Sequence, residues 1–218
     1  MAGGSGNRMG SEIPKQFIEF CGLPVLMHTM VAFKTAYENI EIIIVLPEGL
    51  VSYWESLCSQ YNFKVHHQLA FGGETRFHSV KNGLELISGE GLVGIHDGVR
   101  PLVSKETIVR CYTEAAKYSS AIPVIEVVET VRVLEDNRSK IIDRSKLRLV
   151  QTPQVFEINL LKQAYQQSFN PAFTDDASVF ESSSNEIHLT LGNKENIKIT
   201  HPADLIMGES LFRVLNLI

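Results

Sequence analysis

The first fifteen residues of this 218-residue chain place Gly3, Gly4, Gly6 and Gly10 beside two cations, Arg8 and Lys15. Glycine lets a backbone approach a ligand closely and adopt positive φ, so successive N–H groups can converge on phosphate oxygens. Arg8 adds a planar fork of donors and Lys15 a mobile point charge, which together suit a polyphosphate. Read more simply, both are solvated surface cations. The spacing Gly4-Ser-Gly6-Asn-Arg-Met-Gly10 is G-x-G-x-x-x-G, one residue longer than the dinucleotide fingerprint, and no acid stands at Cys21 to Leu26 to hold a ribose. No Gly-Lys-Ser/Thr closes the run, so it is not a P-loop either. A phosphate loop of another kind remains.

Other reactive groups are sparse. Cys21, Cys58 and Cys111 are odd in number and widely spaced, as expected of reduced thiols in a cytoplasmic protein rather than of a disulfide frame or zinc site. His66 and His67 are adjacent; on a strand they would point to opposite faces and make a poor metal site. No Ser-His-Asp or Cys-His arrangement stands out. The formal net charge of −5 argues against a nucleic-acid or anionic-membrane binder, so an anion site has to be local. No apolar run approaches the roughly 20 residues of a membrane span.

These groups need a scaffold, and short β-branched runs alternating with amphipathic stretches supply one. Glu41 to Leu46, Lys64 to His67, Leu92 to His96 and Ala121 to Val128 read as strands, with helices between them, the pattern of a mostly parallel α/β sheet in one domain spanning 1–218. Val25, His28, Thr29 and Phe33 mark one helical face; Leu205, Phe212 and Leu215 mark another, started by Pro202. From 129 to 154 the rhythm changes. Thr130 to Glu135 and Lys140 to Ile142 alternate around Asp136-Asn137-Arg138-Ser139, which predicts a β-hairpin arm that finds a partner surface in a homodimer. A phosphate loop in such a sheet follows a strand, yet Ala2 sits directly after Met1. A first strand is therefore expected before residue 1, with the numbering beginning late.

Six motifs, Ala2-Gly-Gly-Ser-Gly-x-Arg-Met-Gly with Pro14-Lys15-Gln16, Gly72-Gly-Glu-Thr-Arg-x-x-Ser79, His96-Asp-Gly-Val-Arg-Pro101, Gln151-Thr-Pro-Gln154, Thr174-Asp-Asp-Ala177 and Asn196-Ile-Lys198, follow one another along the chain. In this order they resemble the 2-C-methyl-D-erythritol 4-phosphate cytidylyltransferase family. The resemblance implies a Rossmann-like fold of the nucleotide-diphospho-sugar transferase type. It also implies an activity: the phosphate of methylerythritol phosphate attacks the α-phosphorus of CTP, with Mg²⁺, and diphosphate leaves. A phosphate monoester has a second pKa near 6, so the nucleophile is already largely a dianion at neutral pH and needs no general base. The difficulty lies in bringing two polyanions together, which calls for cations and a metal.

By the same resemblance, Arg8 and Lys15 stabilise the transition state, and Asp97 binds the metal, a capping role being the alternative for an aspartate there. Ala2, Gly3, Gly4, Gly73, Glu74 and Ser79 form the CTP pocket. Arg100 serves the sugar-phosphate site, Arg144 and Lys198 position the attacking phosphate, and Thr130, Thr152 and Thr174 supply hydroxyl contacts to it. Arg144 read alone is an arm charge beside Asp143. Glu74 replaces the commoner aspartate, and His96-Asp-Gly-Val departs from the usual His-Asp-Ala-Ala. Three other readings stay open at this point: a ribitol-5-phosphate cytidylyltransferase, whose motifs are closely similar; a nucleotide-binding regulatory protein without activity; and a dinucleotide-dependent oxidoreductase, which the glycine spacing disfavours.

Overall fold

The computed structural model describes residues 1–2, 13–136 and 138–215. Gly3, Gly4 and Arg8 lie outside them. After Lys15 the chain turns through a tight hairpin, β1 (Glu19–Phe20) and β2 (Leu23–Pro24). Cys21 (φ 47°) and Gly22 (φ 85°) close it, the left-handed pair that a two-residue turn of this hand requires. Helix α1 (Val25–Ala36) follows, then β3 (Ile43–Leu46), α2 (Val51–Gln60), β4 (Gln68–Phe71), α3 (Arg76–Glu85), β5 (Leu92–Ile95) and α4 (Lys105–Tyr118). Next come β6 (Ser120–Glu126), the hairpin β7 (Val131–Glu135) and β8 (Arg138–Ile142), β9 (Arg148–Val150) and β10 (Gln154–Glu157). Short helices α5 (Ile158–Ala164) and α6 (Asp176–Glu181), strand β11 (Leu189–Leu191) and α7 (Pro202–Val214) complete the order.

The α/β class is as expected, and the sheet itself is mixed. β3 and β4 pair in parallel, as do β6 and β11, but β10 runs antiparallel between β5 and β6, and β9 antiparallel to β6. The reversal follows from the hairpin: a chain that leaves along β6 and turns back through β7 and β8 re-enters in the opposite sense. Helices α1 and α4 cover one face, where Val155 meets Cys111 and Ala115; α3, α5 and α6 cover the other, where Phe156 meets Phe77, Leu161 and Phe180. Alternate residues of β10 thus serve opposite cores, as the pleat dictates.

One strand lies later than the sequence pattern suggests. Residues 64–67 form no strand, and β4 starts at Gln68 instead. The Val65 carbonyl is taken by His67 Nδ1 (2.7 Å), while His67 Nε2 accepts the indole N–H of buried Trp54 (3.0 Å). This stretch closes the Trp54 core instead of joining a ladder. Leu215, expected on the buried face of the last helix, lies past its end and is exposed, whereas Phe212 is buried. In the hairpin, Leu134 is 80% exposed and Ile141 65% exposed, so its apolar side chains find no cover within the described residues. None of the described helices is long and apolar enough to cross a membrane.

Candidate active site

The carboxyl end of β5 is the organising point. Ligands of open α/β sheets bind beyond the carboxyl ends of strands, and here the chain turns sharply through residues 96–100. Three hydrogen bonds lock that turn. The Asp97 N–H donates to Thr152 Oγ1 (3.1 Å), the Thr152 hydroxyl lies 3.0 Å from His96 Nδ1, and His96 Nε2 lies 3.2 Å from the Arg100 carbonyl. With the imidazole proton assigned to Nε2, each donor meets an acceptor. Burial pulls His96 down to about 3, so the ring stays neutral and the sequence of bonds keeps its direction.

What the turn presents is Asp97. Its Oδ2 accepts from Arg100 Nε at 3.0 Å and pairs with Lys198 Nζ at 3.1 Å. Burial alone would raise this carboxyl, but Lys198, Arg100 and Arg76 outweigh it and hold it below the usual carboxylate range. Arg100 is fixed a second time by the Asn196 carbonyl (2.7 Å), and Asn196 donates to the Thr152 carbonyl (2.8 Å). Three sequence motifs, at 96–101, 151–154 and 196–198, therefore meet in one cluster. Asp97 caps no helix; α4 starts later and is capped by Ser104.

The second wall is the loop between β4 and α3. The Gly73 N–H donates to Ser79 Oγ (3.0 Å), and a Cβ on Gly73 would stand 2.5 Å from the His78 Cβ, so the residue has to be glycine. Ser79 is buried and braces this loop, while Gly73 and Glu74 lie at its rim. Thr75 caps α3. Ala2 lies beside β3, donating to the Val45 carbonyl (3.0 Å), and its own carbonyl accepts from buried Gln16 Nε2 (2.9 Å). Gln16 thereby ties the short 3-10 turn that begins with Lys15 to the phosphate-loop end of the chain.

Residues to which the sequence reading gave no role connect these walls. Arg76, first in α3, makes a two-pronged contact with Asp176, first in α6, at 2.8 and 2.5 Å, and the Tyr165 hydroxyl donates to the same carboxylate at 2.7 Å. Gln154 reaches the neighbouring Asp175 (2.8 Å) and accepts from the Ala177 N–H (2.9 Å). Arg76 and Asp176 stand inside two of the six motifs, but nothing in their spacing shows that residues 100 apart form a pair.

The remaining predicted site residues fall into two groups. Thr152 is buried with its hydroxyl committed to the Asp97 turn, so its geometry is that of a positioning group. Thr174 is exposed just before the cap of α6. Thr130 and Arg144 are exposed on the hairpin side, and among the described residues no hydrogen bond or ion pair joins them to the Asp97 cluster. Arg144 does not pair with Asp143. It donates to the Val128 carbonyl, while Asp143 accepts from Ser145 and caps the short turn 144–146.

Among the described residues Asp97 is the carboxylate that pairs with Arg100 and Lys198, and they hold no group of three metal-ligating side chains. That fits an ion of the magnesium type, which takes one or two protein carboxylates and draws its other ligands from substrate phosphates and water. Among the described residues Asp97 Oδ1 accepts no hydrogen bond, so one oxygen is available beside the one that holds both cations.

Comparison with known proteins identifies the family. The family model for 2-C-methyl-D-erythritol 4-phosphate cytidylyltransferase matches residues 1–214. A protein of that name from Bacteroides thetaiotaomicron is 56% identical over 97% of this chain and 96% of its own length; one from Clostridium botulinum is 38% identical, with 97% and 96% covered. Among solved structures, the cytidylyltransferase of that name from Thermus thermophilus superposes with a TM-score of 0.80 at 30% identity, covering 97% of this chain and 96% of the other. The 4-diphosphocytidyl-2C-methyl-D-erythritol synthase from Anaerococcus prevotii gives 0.82 at 27% identity, covering 97% and 93%. With the family model matched over residues 1–214 and a relative 56% identical over 97% of its length, this chain belongs to the 2-C-methyl-D-erythritol 4-phosphate cytidylyltransferase family.

Proposed function

We infer that the chain is a cytidylyltransferase that transfers CMP from CTP to the phosphate of 2-C-methyl-D-erythritol 4-phosphate, releasing diphosphate, in the non-mevalonate route to isoprenoid precursors. The observation that carries this is the meeting of Asp97, Arg100 and Lys198 at the end of β5 in a chain of this family. Two cations on one buried carboxylate are a ready counter-charge for a phosphate dianion, which needs no proton removed before it attacks. Lys198 and Arg100, with Arg144 from the arm and the hydroxyls of Thr130 and Thr174, hold the acceptor phosphate; Thr152 fixes the turn beneath it. Gly73 and Glu74 at the rim, with Ala2, Gly3 and Gly4, receive CTP, and Ser79 keeps the rim in shape. Arg8 and Lys15 balance the charge that builds on the α-phosphate and diphosphate. A magnesium ion held by Asp97 would supply a further charge on the phosphate oxygens.

The arm supports a homodimer. A two-stranded ribbon with exposed Val133, Leu134 and Ile141 is marginal alone and gains by packing on a second copy, which would make each site composite. Three free thiols, with burial pushing that of Cys111 up to about 12, suit a reducing cytoplasm. Purified protein given CTP, Mg²⁺ and methylerythritol phosphate is expected to release diphosphate. A higher kcat/KM with ribitol 5-phosphate would reassign the acceptor, and no diphosphate with either ester would remove the assignment. Arg144→Ala is expected to raise the KM for the acceptor about 10- to 100-fold, the loss of one charge-assisted hydrogen bond, with CTP binding nearly unchanged. Equal losses for both substrates would contradict the placement of Arg144 at the acceptor.

A further inference from the structure

The loop between β11 and α7 brings Lys198 to Asp97, and a long side chain that is 42% exposed keeps one place only if its backbone is fixed. Both ends of that loop are stitched to the turn after β5. The Asn193 side chain accepts from the Ser104 N–H (3.2 Å) and donates to the Leu102 carbonyl (3.0 Å), and the Ile199 N–H donates to the Val99 carbonyl (2.9 Å). Midway between them stands Asn196, fully buried.

The main chain and side chain of Asn196 serve different partners. Its carbonyl accepts from Arg100 Nη1 at 2.7 Å, with Gln151 Nε2 at 3.4 Å, while its Nδ2 donates to the Thr152 carbonyl at 2.8 Å. Among the described residues Oδ1 accepts no hydrogen bond, so what this side chain supplies is a donor. Thr152 in turn carries the hydroxyl that receives the Asp97 N–H. Arg100, Thr152 and Lys198 lie on three separate loops. One residue is bonded to the first two and stands two positions before the third.

We propose that Asn196 is a positioning residue for the acceptor half of the site. Its side-chain donor locks residues 193–199 onto Thr152; through that lock its carbonyl aims Arg100 and its backbone places Lys198 at the acceptor phosphate. The inference rests on the acceptor role given above to Arg100 and Lys198. CTP is assigned to the other wall, and among the described residues no hydrogen bond joins Asn196 to Ala2 or to the 73–79 loop. The two substrates therefore separate a positioning effect from a general loss of fold. A misplacement of about 1 Å at a reacting group is enough to cost about 100-fold.

The test is steady-state kinetics of the full chain with CTP, Mg²⁺ and methylerythritol phosphate, below the Tm of each variant. Asn196→Asp keeps the shape and removes the donor. It is expected to lower kcat/KM for the acceptor about 10- to 100-fold, with the KM for CTP within about threefold of the parent. Ser120→Ala is the stability control: its hydroxyl bonds the Glu186 carbonyl and the His188 N–H beside Phe156, away from the Asp97 turn. It is expected to lower Tm and leave both constants within about twofold. Should Asn196→Asp not fold, Gln151→Met removes the donor to the Asn193 and Asn196 carbonyls and is expected to show the same split at about 3- to 10-fold. Equal losses for both substrates, or no loss in a folded variant, overturn the positioning role and leave the activity standing. A parent protein that releases no diphosphate overturns both.

Discussion

Lys15→Ala is expected to lower kcat by at least about 100-fold, the usual cost of deleting one donor aimed at charge that develops in the transition state. The fold is expected to survive, because the short turn that begins with Lys15 is held by its neighbours. Gln16 is buried against the Ala2 carbonyl, and Phe17 stacks on Trp54 with ring centroids 5.9 Å apart. The comparison to make is turnover at saturating CTP and acceptor, alongside the melting temperature. Near-normal turnover in a protein that melts like the parent would withdraw the role given to this lysine. Arg8→Ala is expected to behave in the same way, on the strength of its motif alone.

Asp176→Ala is expected to act through stability instead. Its carboxylate is fully buried and receives Arg76 and Tyr165; without it, a guanidinium whose side chain is 34% exposed keeps its charge beside an unpartnered phenol. Breaking a buried pair costs about 3–5 kcal/mol, and the partial access of water to Arg76 points to the low end, about 3 kcal/mol. For a chain of this size that is a fall of about 6–12 °C in Tm. Asp176→Asn, which keeps the shape and part of the hydrogen bonding, is expected to fall less. Should the alanine variant melt within about 2 °C of the parent, the pair would have no structural weight. Because Arg76 begins the helix that follows Gly73 and Glu74, the alanine variant is also expected to raise the KM for CTP.

Periodicity made much of the fold legible. The short apolar runs of β3, β5 and β6 and the helical face of α1 depend on local burial, which the order of apolar residues records. The hairpin was readable too, although β8 takes in Arg138 and Ser139 from the polar run expected to turn the chain, pairing them with Glu135 and Leu134. The reversed sense of β10 was not readable, because nothing in Gln154 to Glu157 distinguishes a parallel from an antiparallel neighbour. Likewise, Val65 and His67 have strand-like types, and only the indole of Trp54 explains why they do other work.

For the site, Asp97 was recognisable by its place at a strand end, and Lys198 by its motif. Their 3.1 Å contact belongs to tertiary structure alone. The same holds for Thr152: a threonine in Gln-Thr-Pro-Gln looks like a substrate contact until its hydroxyl is seen between the Asp97 N–H and His96.

The hydrogen bonds that join Arg76 to Asp176, Gln154 to Asp175, Thr152 to Asp97 and Asn196 to Thr152 have a consequence for how this protein can diverge. Neighbours within one such web are coupled by about 0.5–3 kcal/mol, so a change at one position alters what its partners tolerate. Drift here is confined to compensated steps, two positions moving together, while the exposed hairpin is free to vary one residue at a time wherever a partner does not read it.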